Sequence, residues 1–312
     1  MSTDDNRDRW RGLRLSVYWQ EVHRPRYQGD CSVRTIREYR ATLRYWREVT
    51  RNPLLAEITD EDLYRFREVL RGALSPATVN KHLRHVAAVL NRAGPRWPGS
   101  KRSTLRILDD VPGCESLRTE RHLPRDVDDA TLAAIVAACR FAVYPRIAGV
   151  QPRRWWEALL LAALTTGYRH AGLLSLRWDG IDWQRATVRL EACGDKCRRE
   201  RIKPLRAELL IRLQAIQNGS PLIFAWPHSS VTWYRQWHAI QEAAGLPRSA
   251  HITFHDLKRA CLTRVARVGG SAWAVQLMGD HSSIRTSEAY VNATSEARAM
   301  VERLPLPPGF AD

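Results

Sequence analysis

LMGDHSSIRTSEAY, residues 277 to 290, is the stretch on which the rest of the chain turns. It sets His281 nine residues ahead of Tyr290, across a Ser-Ser-Ile-Arg-Thr connection that reads as a tight turn opening a short helix. A phenol near an imidazole, late in a basic chain, points to a nucleophile aimed at a phosphate. A packed Tyr and His pair in a core is the plain alternative. The residues upstream decide between the two.

Lys and Arg number 49 against 33 Asp and Glu, a formal charge of +16 with an isoelectric point near 10.2. Such a field favours a polyanionic partner, and double-stranded DNA is the first candidate. An anionic membrane is the competitor, but no segment approaches the roughly 18 uninterrupted apolar residues a spanning helix needs. The opening MSTDDNRDRWRG is polar, unlike a secretion signal. A soluble, cytoplasmic, nucleoid-associated protein with no membrane partner is therefore expected. The six cysteines, at positions 31, 114, 139, 193, 197 and 261, are scattered through the chain and frame no disulfide scaffold. Cys193 and Cys197 flank Lys196 without a second Cys or His pair at zinc-ligand spacing, so neither a metal nor a cofactor is expected.

With 312 residues the chain has room for two domains. Residues 1–95 read as a helical DNA-binding domain, 96–125 as a basic linker and 126–312 as a second domain with a short tail. Between Ser32 and Arg51, Val33, Ile36, Tyr39, Leu43, Trp46 and Val49 recur at spacings of three and four, which makes one helical stripe. Arg34, Arg37, Arg40, Arg44, Arg47 and Arg51 recur likewise, so an arginine row runs beside the apolar row and can follow a phosphate backbone. Thr59 to Asp62 has the form of a capping box before Leu63, Phe66, Val69 and Leu70. Ser75-Pro76 places a capping hydroxyl and a first-turn proline before a helix through Val79, Leu83, Val86, Ala87 and Leu90 that stops at Gly94, with Lys81, Arg84 and His85 on an outer face. From Pro95 the pattern breaks into a run of Pro and Gly with Lys101, Arg102 and Arg106.

In the second domain, DVDDATLAAIVAAC from Asp126 and WWEALLLAALTT from Trp155 read as helices, the latter buried and ending at Gly167. A helix over Arg169 to Leu176 precedes a strand around Thr187 to Leu190, and residues 201–205 return as its antiparallel partner after the Gly194-Asp195 turn. Further helices are expected around 209–217, 232–244, 256–268 and 272–278. The fold class is therefore mainly α with a small antiparallel β-sheet. Trp155 and Trp156 read as core, and Lys203, Arg259 and Arg264 as exposed cations.

Four pieces stand beside Tyr290: Arg169 after the Gly167 break, Lys196 in the hairpin turn, His255-Asp256-Leu257-Lys258 at a helix start, and His281. Attack of a phenol on a phosphodiester needs positive donors on the non-bridging oxygens, a partner for the phenol proton and an acid for the leaving oxygen. With no cluster of metal ligands, protein cations carry the charge.

At this point the sequence resembles the tyrosine recombinase (phage integrase) family. TTGYRHAGLLSLRWDGIDW, from Thr165 to Trp183, is similar to the family's first arginine box, and Lys196 stands eight residues before Pro204 where the hairpin lysine belongs. FHDLKRACLTRV from Phe254 is similar to the H-x-L-R box, and GDHSSIRTSEAYV from Gly279 to the box that ends in the tyrosine. The resemblance implies an N-terminal helical core-binding, SAM-like domain and a C-terminal catalytic domain that breaks and rejoins DNA. It makes Tyr290 the nucleophile that forms a 3′-phosphotyrosine, Arg169 the clamp on the scissile phosphate, Lys196 the general acid, and His255 and His281 the phosphate and proton partners. It further implies site-specific recombination for a mobile element without ATP or metal, tetramers on paired sites, exchange of a C-terminal segment such as Ser295 to Asp312, and accessory DNA-bending proteins.

Three departures stand out. Lys258 replaces the second arginine, keeping a charge and losing the bidentate fork. Gly172 replaces a supporting glutamate, and Asp280 intervenes between Gly279 and His281. These departures motivate a DNA-binding protein that keeps the fold with impaired strand transfer. A type IB topoisomerase with related chemistry and a nonspecific packaging protein also compete.

Overall fold

The computed structural model describes residues 3–96, 104–120, 127–194, 198–268, 271–280 and 283–291, with the backbone alone for 3–6 and 289–291. The chain divides into two compact units, Met1–Arg121 and His122–Asp312.

The first unit is helical: α1 (Thr3–Arg11), α2 (Leu15–Tyr18), a π-helical turn over Trp19–His23, α3 (Arg24–Tyr27), α4 (Val33–Thr50), α5 (Asp60–Arg71) and α6 (Pro76–Ala93). The capping box at α5 forms as its sequence requires, with the Asp62 amide donating to Thr59 Oγ1 and the Thr59 amide to Asp62 Oδ2. Ser75 differs from expectation: it stands at the N-cap of α6 without a cap bond to the backbone, its hydroxyl 2.9 Å from that of Thr78. The core gathers Ile36, Leu43 and Trp46 of α4, Leu63, Phe66 and Leu70 of α5, and Val79, Leu83, Val86 and Leu90 of α6. Val33 and Val69 are exposed, because the first residue of α4 and the outer face of α5 have nothing packed over them and the stripe is narrower than the alternation implies.

His85 does not lie on an outer face. Its ring stacks on Tyr39 at 4.2 Å, and its Nδ1 shares the Thr42 hydroxyl with His82, at 2.8 and 2.7 Å. Nor is all of 96–125 a linker. Residues 104–120 belong to the first unit: Ile107 is fully buried, its amide donates to Ala93 O, and Asn80 makes paired bonds with the Leu117 backbone. An aperiodic segment can still bury apolar side chains, and satisfying its backbone against α6 is what lets it do so.

The second unit comprises α7 (Asp129–Ala138), α8 (Pro152–Thr166), α9 (His170–Leu174), a three-stranded sheet, α10 (Ala207–Gln214), α11 (Ser230–Ala243), α12 (Phe254–Arg267), α13 (Ala272–Gly279) and α14 (Arg285–Val291). The sheet is antiparallel in the order β1 (Ile181–Asp182), β2 (Thr187–Leu190), β3 (Arg201–Pro204), with Val188 opposite Lys203. β1 lies below sequence detection, since two residues carry no alternation. Buried α8 runs through the unit and packs against α7, α9, α10 and α12. At its start Trp155 and Trp156 join Trp226, Trp233, Trp237, Phe224 and Phe254 in one aromatic cluster. Burial of such rings stabilises the unit by several kcal/mol in sum, about 1.5 to 3 for each fully buried large side chain. Among the described residues no helix is long and apolar enough to cross a membrane.

Candidate DNA strand-transfer site

α8 ends at Gly167 in the left-handed conformation, φ 62°. A Cβ there would stand 2.9 Å from Met278 O, so glycine is needed twice, for the dihedral and for the close approach of α13. The chain then turns through Tyr168 to Arg169, which is the N-cap of α9 in extended conformation, one residue ahead of the helix. His170, its neighbour, packs on Trp233 at 4.4 Å and on Phe254 at 4.9 Å. Phe254 is the first residue of α12, held there by a capping box between Thr253 and Asp256. His255 follows it. The aromatic contact therefore brings the Arg169 turn and the start of α12 together.

The electrostatics register that closeness. Burial, the nearby guanidinium of Arg259 and the charges of Lys258 and Arg169 push the His255 imidazole below its ordinary value, with Asp256 opposing. Burial lowers Lys258 to about 7, helped by Arg169 and Lys203 and opposed by Asp280. Arg169 and Lys258 thus lower the His255 imidazole, Arg169 also lowers the Lys258 amine, and an anion placed among the three relieves the repulsion. The Arg259 guanidinium is turned to Asp256 at 3.6 Å, on its own helix, and does not substitute for Lys258.

Two of the departures have a structural account. Lys258 is buried and donates from Nζ to the Gly279 carbonyl at 2.7 Å, at the C-terminus of α13. Asp280 caps that helix in the left-handed conformation, φ 52°. Its carboxylate meets Lys203 Nζ at 2.9 Å and Arg201 Nε at 3.6 Å. Lys203, expected at the surface, is only 4% exposed. Its ammonium also donates to Thr166 O at 2.9 Å and Met278 O at 2.6 Å, and lies 4.5 Å over the Tyr168 ring. The third departure, Gly172, is packed: a Cβ there would come 3.2 Å from Leu190 Cδ2, so a glutamate would require Leu190 to move.

α14, whose backbone includes Tyr290, packs against α13 and α12. The Tyr290 side chain, Lys196 and His281 lie outside the described residues. Of the sequence-derived site, the structure brings together Arg169, His255 and Lys258. The residues that sequence reasoning missed are Lys203, Asp280 as its ion-pair partner, and His170. For Lys203 a signal existed: antiparallel partners share a face, and its partner Val188 faces inward.

On the first unit Arg34, Arg37, Arg40, Arg44 and Arg47 are all exposed along α4, with Arg34 near Glu38 at 3.5 Å and Arg44 near Glu48 at 4.0 Å. Such exposed pairs are weak and yield readily to a phosphate. Arg84 on α6 is exposed and Lys81 half-buried; Lys101 and Arg102 lie outside the described residues.

The sequence pattern of the Phage integrase family matches residues 142–297, half of the 312 residues, and the chain belongs to that family. Among its relatives is the tyrosine recombinase XerD of Yersinia pestis, 24% identical over 208 residues that make up 62% of this chain and 66% of that protein. XerD of Pseudomonas putida is 24% identical over 217 residues, 65% of this chain and 68% of that protein. The chain thus spans about two thirds of the length of these curated relatives. Among solved structures, the Tn1549 transposon integrase in complex with circular intermediate DNA is similar with a TM-score of 0.67 at 14% identity, covering 93% of this chain and 99% of that one. A lambda integrase dimer bound to a COC′ core site is similar with a TM-score of 0.67 at 17% identity, covering 89% and 95%. These likenesses show the fold: a mainly helical recombinase architecture with a small antiparallel sheet.

Proposed function

We propose that this chain is a site-specific tyrosine recombinase that cuts and rejoins duplex DNA, in the service of a mobile element. The observation that carries the reading is the convergence of Arg169, His255 and Lys258, in which the guanidinium lowers both the imidazole and the amine and which a phosphodiester would reconcile. Tyr290 Oη bonds to phosphorus and the bond from phosphorus to the 5′ oxygen breaks, with His255 taking the phenol proton. Lys196 delivers a proton to the leaving 5′ oxygen, while Arg169, Lys258 and His281 hold the non-bridging oxygens. Rejoining runs the same steps backward with a partner strand, so the energy of the phosphotyrosine is conserved. The exposed arginines of α4, with Lys81, Arg84, Lys101 and Arg102, hold the flanking backbone. Four copies act on two paired sites, aided by DNA-bending proteins, at the nucleoid in the cytoplasm. The domain roles follow: the first unit, Met1–Arg121, as core-binding domain and the second, His122–Asp312, as catalytic domain.

The test is a covalent adduct. The protein is incubated with nicked duplexes from the DNA flanking its gene, quenched in detergent and run on a denaturing gel. A slow band from the native chain that disappears in Tyr290→Phe supports the reading; equal bands from both reject it.

One observation favours a second reading. Lys258 is buried on a backbone carbonyl where the phosphate clamp is needed, which suits a protein that binds DNA and does not cut it. Native protein that binds a duplex without forming an adduct, together with an adduct from Lys258→Arg, selects that reading. Relaxation of an arbitrary supercoiled plasmid selects the topoisomerase instead.

A further inference from the structure

We propose that Lys203 and Asp280 are positioning residues of the strand-transfer site: as one buried ion pair they lock the end of α13, which leads into His281, onto the end of α8, which leads into Arg169. The inference rests on the recombinase reading for its catalytic consequence and on the structure alone for its mechanical one.

The geometry is specific. An ammonium has three protons to donate, and Lys203 Nζ has three acceptors, one at the end of α8 and two at the end of α13: Thr166 O at 2.9 Å, Met278 O at 2.6 Å and Asp280 Oδ2 at 2.9 Å. Thr166 is the last residue of α8, three before Arg169. Met278 is in the last turn of α13, and Asp280 is its cap, immediately before His281. Lys203 itself is on β3, seven residues after Lys196 in the sequence. One side chain therefore ties the three segments that lead to three of the proposed reacting groups. The lysine side chain is 5% exposed and the aspartate 7%, so water replaces neither.

Removing either partner leaves something unsatisfied. Without the carboxylate, a buried ammonium faces Arg201 and Lys258 with carbonyls alone; without the ammonium, a buried carboxylate keeps only Arg201 at 3.6 Å, and two carbonyls at helix ends lose their donor. Asp280 also occupies a left-handed position that glycine fills at least cost, and aspartate is among the few side chains that tolerate it. Lys258 reaches the adjacent carbonyl, Gly279 O, from α12. The end of α13 is thus clasped by two lysines from two elements, and the ion pair is the part of that clasp with opposite charges on both sides.

The test uses the full chain and three variants, Lys203→Met, Asp280→Gly and the double variant, with Asp280→Asn as the conservative control should Lys203→Met fail to fold. Amide hydrogen exchange is followed in the absence of DNA. Peptides covering 160–168 and 272–280 are expected to exchange about tenfold faster in Lys203→Met, while those of α10 and α11 keep the native rate. Adduct formation at saturating nicked duplex is expected to fall by at least about tenfold, with affinity for an uncut duplex within about threefold of native. The double variant is expected to regain about fivefold or more of the rate lost in Lys203→Met, because its unpaired carboxylate is gone. In Asp280→Asn the same two peptides quicken by a smaller factor. Native exchange in both helix ends of Lys203→Met, or of Asp280→Asn if that variant alone folds, overturns the proposal. So does a rate loss matched entirely by lost DNA affinity. A native chain that forms no adduct defeats the recombinase reading, and the exchange data still decide whether the pair locks the two helix ends.

Discussion

The arginine row of α4 and the lysines around Asp280 are both concentrations of positive charge, built on opposite terms. On α4 the guanidiniums stand in water, two of them near glutamates one helical turn away, and any one can be lost without disturbing a neighbour. Around Asp280 every ammonium is buried and committed to named acceptors, and the loss of one strands the rest. The first arrangement suits a sequence-independent grip that scales with the number of contacts. The second suits a site in which geometry has to be fixed before the substrate arrives.

Arg169→Ala removes the planar fork from the buried site, and single-turnover adduct formation is expected to fall by about 10²- to 10³-fold with little change in duplex affinity. An equal loss of affinity would place Arg169 with the exposed grip instead.

Next comes pH. The folded value of Lys258, about 7, is below the ordinary 10.5, so at neutral pH and below the fold carries a buried charge that the unfolded chain keeps in water. Folding stability is therefore expected to rise as pH climbs from about 7 toward 10.5, and part of that slope vanishes in Lys258→Met, with Lys203, also lowered by burial, keeping the remainder. Adduct formation runs the other way. It is expected to decline by up to about tenfold per pH unit once the amine, set among Arg169, Lys203, His255, Asp280 and Cys261, has lost its proton, and to stay flat in Lys258→Arg. Chemical denaturation and gel quantification across pH 6 to about 9.5 read both.

The smallest effects belong to α4. Arg40→Ala and Arg44→Ala are each expected to weaken duplex binding by a few fold, to lower the salt slope by about 0.9 apiece and to add when combined. Cooperative loss would show that the row is a built site after all.

Sequence reasoning reads the frame of this contrast well and its buried half poorly. The helices of α4, α5, α6 and α8 follow from periodicity, capping residues and the Gly167 stop, all of which are local signals. Arg169, His255 and Lys258 are legible in their boxes, but the role of Lys258 as donor to Gly279 O depends on where α13 ends, which no local pattern states. Lys203 reads as a surface residue because lysine is so rarely buried without a partner, and its partner is 77 residues away in sequence. Residues 104–120 read as a tether for the same reason: Ile107 has no periodic company, yet it is buried under α6 by backbone bonds that composition does not announce.

The tryptophan cluster at the start of α8 has an optical consequence. Five indoles crowd beside the site, and the ring of His170 lies 4.4 Å from Trp233 while its neighbour Arg169 belongs to the proposed phosphate clamp. An imidazolium quenches indole emission and a neutral imidazole does so far less, and burial holds His170 below its ordinary value. Part of the chain's own emission, that of Trp233, is therefore expected to dim as pH falls and to report on the Arg169 turn, next to the proposed phosphate clamp, without any label being attached.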